Sequence, residues 1–256
     1  MTIHSSAVIH PDAKLAQGVE VGPFTTIGPE AQIGEGTFVG PNVLIEAGTI
    51  IGRNCKIFHG ASLGGEPQIA NFQNVSSSLE IGDETVIREY VTIHRSGFEN
   101  GVTRVGNGCM LMAYSHVGHD CEIGNQVVIV NSTALAGHVM VEDKAFISGL
   151  VGIHQFVRIG RYAMVGGMAR VNQDVLPFST VEGNPAQLYS ANTVGLKRAN
   201  FKPDIRVAIK TALKFIVQPE LNTSQAVEKI IAEIEMFDEV QQLINFIKDS
   251  SRGVTK

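Results

Sequence analysis

From Ile3 to Val171 the chain places an aliphatic side chain at every sixth residue. Of the 29 positions in that phase, 28 are Ile, Leu or Val, and only Glu99 departs. Gly often follows the aliphatic, as in Val21-Gly22, Ile27-Gly28, Ile33-Gly34, Val39-Gly40 and Val165-Gly166. A strict period of six matches neither the helical period near 3.6 nor the strand period of 2. It matches a hexapeptide repeat, one short strand and one tight turn, three of which close a triangular coil of about 18 residues. The aliphatics point into the prism, and Gly serves where the chain turns too sharply for a Cβ. One coil cannot bury its own face, so stacking supplies both the core and the hydrogen-bond ladder. The fold class is therefore mainly β, a parallel β-helix over residues 1–189.

Two stretches interrupt the rhythm, at about 64–80 and 95–104. The first, rich in Gly, Pro, Asn and Ser, reads as a loop although Ile69 and Val75 keep phase, because an insertion of whole hexapeptides preserves the count. The second contains Ser96-Gly97-Phe98-Glu99-Asn100-Gly101. Loops that leave a solenoid are where function usually sits. Pro177 ends the repeat, and residues 190–256 read as a small helical domain covering the prism's open end or side. Ile205, Ile209, Ala212, Leu213 and Ile216 share one helical face behind a Pro203-Asp204 start. Thr223 or Ser224 is the expected cap of a second helix, with Val227, Ile230, Ile231 and Ile234 on its apolar side. A third helix is expected from Asp238 to Lys248.

A net charge of −5 and the lack of any basic run exclude general nucleic-acid binding. No apolar run reaches the length of a membrane span, so no stable membrane insertion is expected. The start, Met1-Thr2-Ile3-His4, is unlike a signal peptide, and Cys55, Cys109 and Cys121 form no disulfide framework. A cytoplasmic protein with buried cysteines is expected.

The histidines carry the chemistry. His119 and His138 are 19 residues apart and His154 lies 16 further on, so coils of about 18 residues bring all three near one azimuth, about 5 Å apart. His116 precedes His119 on the same coil, Asp120 follows it directly, and His94 stands just before the second interruption. Three readings fit: exposed turn residues; a metal site in which His94, His116 and His119 supply three imidazoles, as in γ-type carbonic anhydrases; or a general base oriented by a carboxylate. Spacing does not separate the last two.

Ser115-His116-Val117-Gly118-His119-Asp120-Cys121, Leu135-Ala136-Gly137-His138-Val139 and Ile153-His154-Gln155-Phe156 resemble the acyl-[acyl-carrier-protein]–UDP-N-acetylglucosamine O-acyltransferase family. So do Val91-Thr92-Ile93-His94-Arg95, Gly183-Asn184, Gly195-Leu196-Lys197-Arg198 and the terminal Ser251-Arg252-Gly253. The resemblance covers essentially the whole chain. It implies a left-handed β-helix, a homotrimer with sites between subunits, and transfer of a 3-hydroxyacyl group from acyl carrier protein to a UDP-amino sugar in lipid A biosynthesis. No cofactor is implied, since 4′-phosphopantetheine arrives on the carrier protein. By the same resemblance His119 is the general base, Asp120 its acidic partner and Gly137 the backbone donor to the oxyanion. His94, His116, His138, His154, Gln155, Asn192, Arg198 and the first-loop residues Gln68, Ile69 and Asn71 match substrate-binding positions, and Gly167 matches the position that sets acyl-chain length.

The sequence also departs from that pattern. The family's Asp and Lys in the first loop are here Ile69 and Asn71, Pro185 replaces a usual His, and Ala199 replaces a second Arg. Losing an acidic and a basic contact together points to an altered acceptor, a 3-amino sugar, unless the loop has drifted around an unchanged one. Lys144, Arg158, Arg161 and Arg170 form a candidate patch for the acidic carrier protein. A sister N-acyltransferase family normally carries an extra N-terminal domain, whereas the repeat here begins at Ile3.

Overall fold

A computed structural model describes residues 2–256. Three sheets form the walls of one prism, and successive coils pair in parallel at the expected spacing: Thr2 with Glu20, Val8 with Thr26, Lys14 with Gln32. Most strands are only two residues long. The first residue faces outward and the second, in-phase residue is buried, as in Glu20-Val21, Gln32-Ile33 and Phe38-Val39. Ile27, Ile45, Leu63, Ile87, Leu111, Ile129 and Leu135 are almost wholly enclosed, each stabilising the stack by about 1.5–3 kcal/mol.

The residue two before the aliphatic also points inward, and there the prism tolerates small side chains. Cys55, Cys109 and Cys121 occupy it and are buried. Threonines at this position cross-link coils. The Thr25 hydroxyl donates to Gly40 O at 2.7 Å and accepts from Val43 N–H at 3.1 Å; Thr37 joins Gly52 O and Cys55 N–H, and Thr133 joins Ser148 O and Val151 N–H, in the same way. Thr49 is the exception. Its Oγ1 is buried without a partner at the point where the chain leaves the coil at Gly64, and the residue in register with it, Leu79, comes only after the first loop, thirty positions on.

The interruptions add whole repeats. Val86 pairs with Lys56, thirty positions back, and His116 with Thr92, twenty-four back, so the two loops insert two hexapeptides and one. This is why the phase survives them. Ile69 and Val75 are in phase yet lie outside the core, Ile69 being 37% exposed. Arg95 holds the first loop: its guanidinium donates to Val75 O at 2.7 Å, Ser77 Oγ at 2.8 Å and Asn74 Oδ1 at 2.8 Å. Glu99, the one residue out of pattern, accepts from Ser76 N–H at 3.1 Å and ties the loops together.

After Pro177 the strand Ser179–Glu182 still pairs in parallel with the coil beneath it, and Gln187–Ala191 returns antiparallel, a hairpin that periodicity did not reveal. Four helices follow: α1 Thr193–Arg198, α2 Pro203–Ile216, α3 Thr223–Glu233 and α4 Asp238–Lys248. Two expectations need correction. The cap of α3 is Asn222, which forms a reciprocal capping box with Gln225, so Thr223 already lies inside the helix. Ile231 is 53% exposed, because Val227 and Ile230 define the buried face and the next residue turns away from it. The helices cover the prism end through a second apolar cluster that includes Leu176, Phe178, Leu196, Ile209, Leu213 and Ile244.

The threonine cross-links give a paired test. Thr25→Val leaves a buried carbonyl and a buried N–H unpaired and is expected to destabilise by about 1–3 kcal/mol. Thr49→Val removes a hydroxyl with no partner and is expected to be neutral or stabilising. Chemical unfolding of the two variants checks both signs.

Candidate active site

The strand His116–Val117 runs into a prism corner where His119 and Asp120 form the turn. Asp120 sits at φ +60°, in the left-handed region the corner demands, and its N–H donates to Thr103 Oγ1 at 2.8 Å. One carboxylate oxygen accepts from the Ser96 hydroxyl in a short bond. The other accepts from Gly97 N–H at 3.2 Å and lies 2.6 Å from His119 Nδ1. Burial opposes ionisation of Asp120, but the hydrogen bonds from Ser96, His119 and Gly97 outweigh it and hold the carboxyl below its usual range. An ionised carboxylate can only accept, so the His119 proton belongs on Nδ1 and the Nε2 lone pair is left free.

One coil along, Gly137 lies against the His119 ring. A Cβ there would stand 2.5 Å from His119 Nε2, so only glycine admits this approach. Among the described residues no group accepts a hydrogen bond from the Gly137 N–H.

The other imidazoles are arranged differently from the row the spacing suggested. His138 packs edge-on to His119, ring centroids 5.1 Å apart, but it is in register with Asp120 rather than with His119. His154 is in register with Gly118 and Ala136, because its offset of 16 falls two short of a coil. Phe156 takes the place expected for it, stacked on His138 at 4.6 Å, and Phe98 from the second loop lies 5.8 Å from the same ring. His154 is exposed at the same corner, its Nδ1 3.1 Å from Gln155 O and 3.3 Å from Arg252. Gln155 is exposed beside it.

His94 and His116 form a second pair, centroids 4.9 Å apart. Burial, then the neighbouring His116 and His119, push His94 down to about 4, and its Nδ1 is enclosed without a partner. His116 Nδ1 lies 2.8 Å from Thr92 Oγ1, and burial together with His119 lowers its pKa too. Burial lowers His138 despite the opposing pull of Asp120. The metal set considered from spacing, His94, His116 and His119, is not the one that converges. His119, Asp120 and His138 bring potential ligand atoms within 4.8 Å of one another, and of these His119 Nδ1 and the nearer Asp120 oxygen are already joined by a hydrogen bond.

The remaining sequence-derived residues spread over the prism. Ile69 abuts Gly97, where an added Cβ would meet its Cδ1 at 2.5 Å, so an apolar side chain flanks the Asp120 carboxylate. Gln68 and Asn71 are exposed on the same loop. Asn192 caps α1, accepting from Gly195 N–H at 3.0 Å and donating to Tyr162 O at 2.8 Å. Arg198 ends that helix beside a cavity of about 560 Å³ lined also by Thr193, Val194, Lys197 and Arg206. Tyr162 and Gly167 belong to two different corners of the prism, neither of them the His119 corner. One chain therefore does not gather these groups into a single cleft.

Nor do the four basic residues make one free patch. Arg170 stands on another wall; Arg158 pairs with Glu142 at 3.4 Å and lies over Phe246, Arg161 donates to Gln242, and Lys144 donates to the Tyr162 hydroxyl. Sequence reasoning missed Ser96, Thr103, Phe98 and Phe156. Counting the extra hexapeptide between Ser96 and Asp120 would have put the first within reach.

Family models match twice: a bacterial transferase hexapeptide repeat at residues 30–65 and 103–137, and domain 2 of UDP-N-acetylglucosamine O-acyltransferase at 174–255. The acyl-[acyl-carrier-protein]–UDP-N-acetylglucosamine O-acyltransferase of Alkalilimnicola ehrlichii is 48% identical over 99% of each chain. This chain belongs to that family. Its members are acyltransferases, named for moving an acyl group from acyl carrier protein to UDP-N-acetylglucosamine. The family's enzyme from Gloeothece citriformis is 51% identical over 68% of this chain, a match that spans 63% of that relative's length. The UDP-N-acetylglucosamine acyltransferase of Bacteroides fragilis superposes with a TM-score of 0.96 at 37% identity over 99% of each chain. With that agreement the fold class is a left-handed parallel β-helix with C-terminal helices. Among the described residues no helix is long and apolar enough to cross a membrane.

The depressed His94 has a measurable consequence. The unfolded chain titrates near 6.5, whereas the folded site resists the proton down to about 4, so between these values the unfolded state binds more protons. Stability is expected to fall as pH drops through that window. Replacement by His94→Gln should remove about 1–2 kcal/mol of the dependence after discounting for partial exposure, read from urea midpoints at pH 7.5 and pH 4.5.

Proposed function

We propose that this chain transfers a 3-hydroxyacyl group from acyl carrier protein to the C3 position of a UDP-amino sugar, the first acylation of lipid A biosynthesis, with His119 as general base. The reading rests on one observation: a carboxylate-anchored imidazole with its Nε2 free, directly against the Gly137 backbone. In the proposed step Nε2 takes the proton from the sugar C3 hydroxyl or amine as that atom attacks the thioester carbonyl. Asp120 stabilises the resulting imidazolium. The oxyanion accepts from Gly137 N–H, and on collapse the carbon–sulfur bond breaks and the pantetheine thiolate takes the proton from His119. No enzyme nucleophile, metal or bound cofactor enters the step.

His116, His138, His154 and Gln155 would contact substrate around this corner, with His94 behind them, while Asn192 and Arg198 would serve the nucleotide phosphates. Asn192 would act there through the helix it caps. Because these groups and Gly167 lie on different corners, a complete site needs more than one copy. A homotrimer supplies it, and the exposed apolar residues Tyr114, Leu150 and Met168, 61%, 62% and 73% accessible on one corner, suit packing against a neighbour. Such an enzyme would work in the cytoplasm, where acyl carrier protein is found.

Ile69 bears on the acceptor. An uncharged side chain against Gly97 makes no hydrogen bond to either a hydroxyl or an amine at sugar C3, so the acceptor is UDP-N-acetylglucosamine or its 3-amino analogue. Incubation with hydroxyacyl carrier protein and both UDP-sugars, with mass spectrometry of the products, decides between an N-linked and an ester product. Absence of any acylated sugar would sink the reading. His119→Ala is expected to lower turnover by about 10²–10⁴-fold.

Gly167 is exposed, and an added Cβ would meet Gly149 O at 3.5 Å and Ser148 Cβ at 4.0 Å, ordinary contact distances, so a larger side chain fits the fold. Gly167→Met is expected to shift preference toward shorter hydroxyacyl donors, measured as kcat/KM across a series of chain lengths.

A further inference from the structure

The terminal Ser251-Arg252-Gly253 is left unassigned by the acyl-transfer chemistry, although the fold anchors it firmly. Its anchor is Asp174, 1% exposed. The Ser250 hydroxyl donates to the Asp174 carboxylate at 2.7 Å, Asp174 N–H donates to Gly253 O at 3.0 Å, and Thr255 N–H donates to Asp174 O at 2.8 Å. The same carboxylate accepts from Arg158 N–H at 2.8 Å, which ties the tail to the prism wall. Gly253 turns the chain at φ +79°, where a side chain would be strained.

This strap delivers one side chain to the corner that carries the histidines. Arg252 Nη2 lies 3.3 Å from His154 Nδ1 and 3.2 Å from Asn172 O, and its Nε is buried without a partner. His154 Nδ1 thus has two neighbours that ask for opposite things. Gln155 O, at 3.1 Å, can only accept and draws the ring proton to Nδ1. A guanidinium can only donate, so it requires Nδ1 to be bare and sends the proton to Nε2. Whichever neighbour wins sets whether the outward nitrogen of His154 is a donor or an acceptor.

We infer that Arg252 is a positioning residue that fixes His154 in the Nε2–H tautomer, so that the outer nitrogen donates a hydrogen bond to the nucleotide sugar. The last step rests on His154 contacting substrate, as proposed above; the tautomer itself does not. Long-range proton–nitrogen correlation spectra of histidine-labelled protein test it, with the His154 signals identified by their loss in His154→Gln. Wild type is expected to show a bare Nδ1, Arg252→Ala a protonated one, and Arg252→Lys, which still donates, a return toward wild type. In kinetics Arg252→Ala is expected to raise KM for the UDP-sugar about tenfold while kcat stays within about twofold and KM for the acyl carrier protein is unchanged. Should Arg252→Ala fail to assemble, Arg252→Met keeps the stem in place and gives the same comparison. A protonated Nδ1 in wild type, or the same tautomer in wild type and variant, overturns the inference. A wild type that acylates no UDP-sugar overturns the functional reading instead and leaves the tautomer comparison standing.

Discussion

Everything in this molecule depends on the in-register stacking of coils. Parallel strands two residues long make few hydrogen bonds each, and only the repetition of one register along three walls gives them a common core. That register places Gly137 over His119 and His138 over Asp120, and it carries the threonine hydroxyls from coil to coil. The site is a by-product of the same geometry that buries the aliphatics. A small change in spacing moves a side chain to a different place on the corner, which is why Phe156 rather than His154 stacks on His138.

The two loops show how a solenoid gains chemistry without losing its core. Because they insert whole hexapeptides, the coils on either side resume in phase. The second loop supplies the Ser96 and Gly97 donors that hold Asp120, and the first lays Ile69 against Gly97. The insertions have a structural cost at their root, where Thr49 loses the carbonyl and N–H its counterparts use. Stable walls and adaptable loops let the loop side chains vary while the His119–Asp120 pair stays fixed.

Charge follows a similar division. Burial keeps His94, His116 and His138 biased toward their neutral forms, while three donors keep Asp120 ionised in spite of burial. The result is one well-anchored anion among uncharged imidazoles, an environment suited to moving a single proton.

The strict period of six determined the prism and its core, and the separate helical spacing of apolar residues after Pro203 determined the helical tail, because each pattern buries its aliphatics in only one kind of element. Adjacency in the sequence put Asp120 beside His119, and the resemblance to the acyltransferase family singled the two out as base and acidic partner. The partners of that pair were beyond the reach of such patterns. Ser96 reaches Asp120 only after a loop of particular length, Arg252 reaches His154 across 98 residues of chain, and Asn222 caps α3 by a side-chain geometry that three polar neighbours could each have offered. Those contacts join parts of the chain whose separation no repeat encodes, so only the folded structure could decide them.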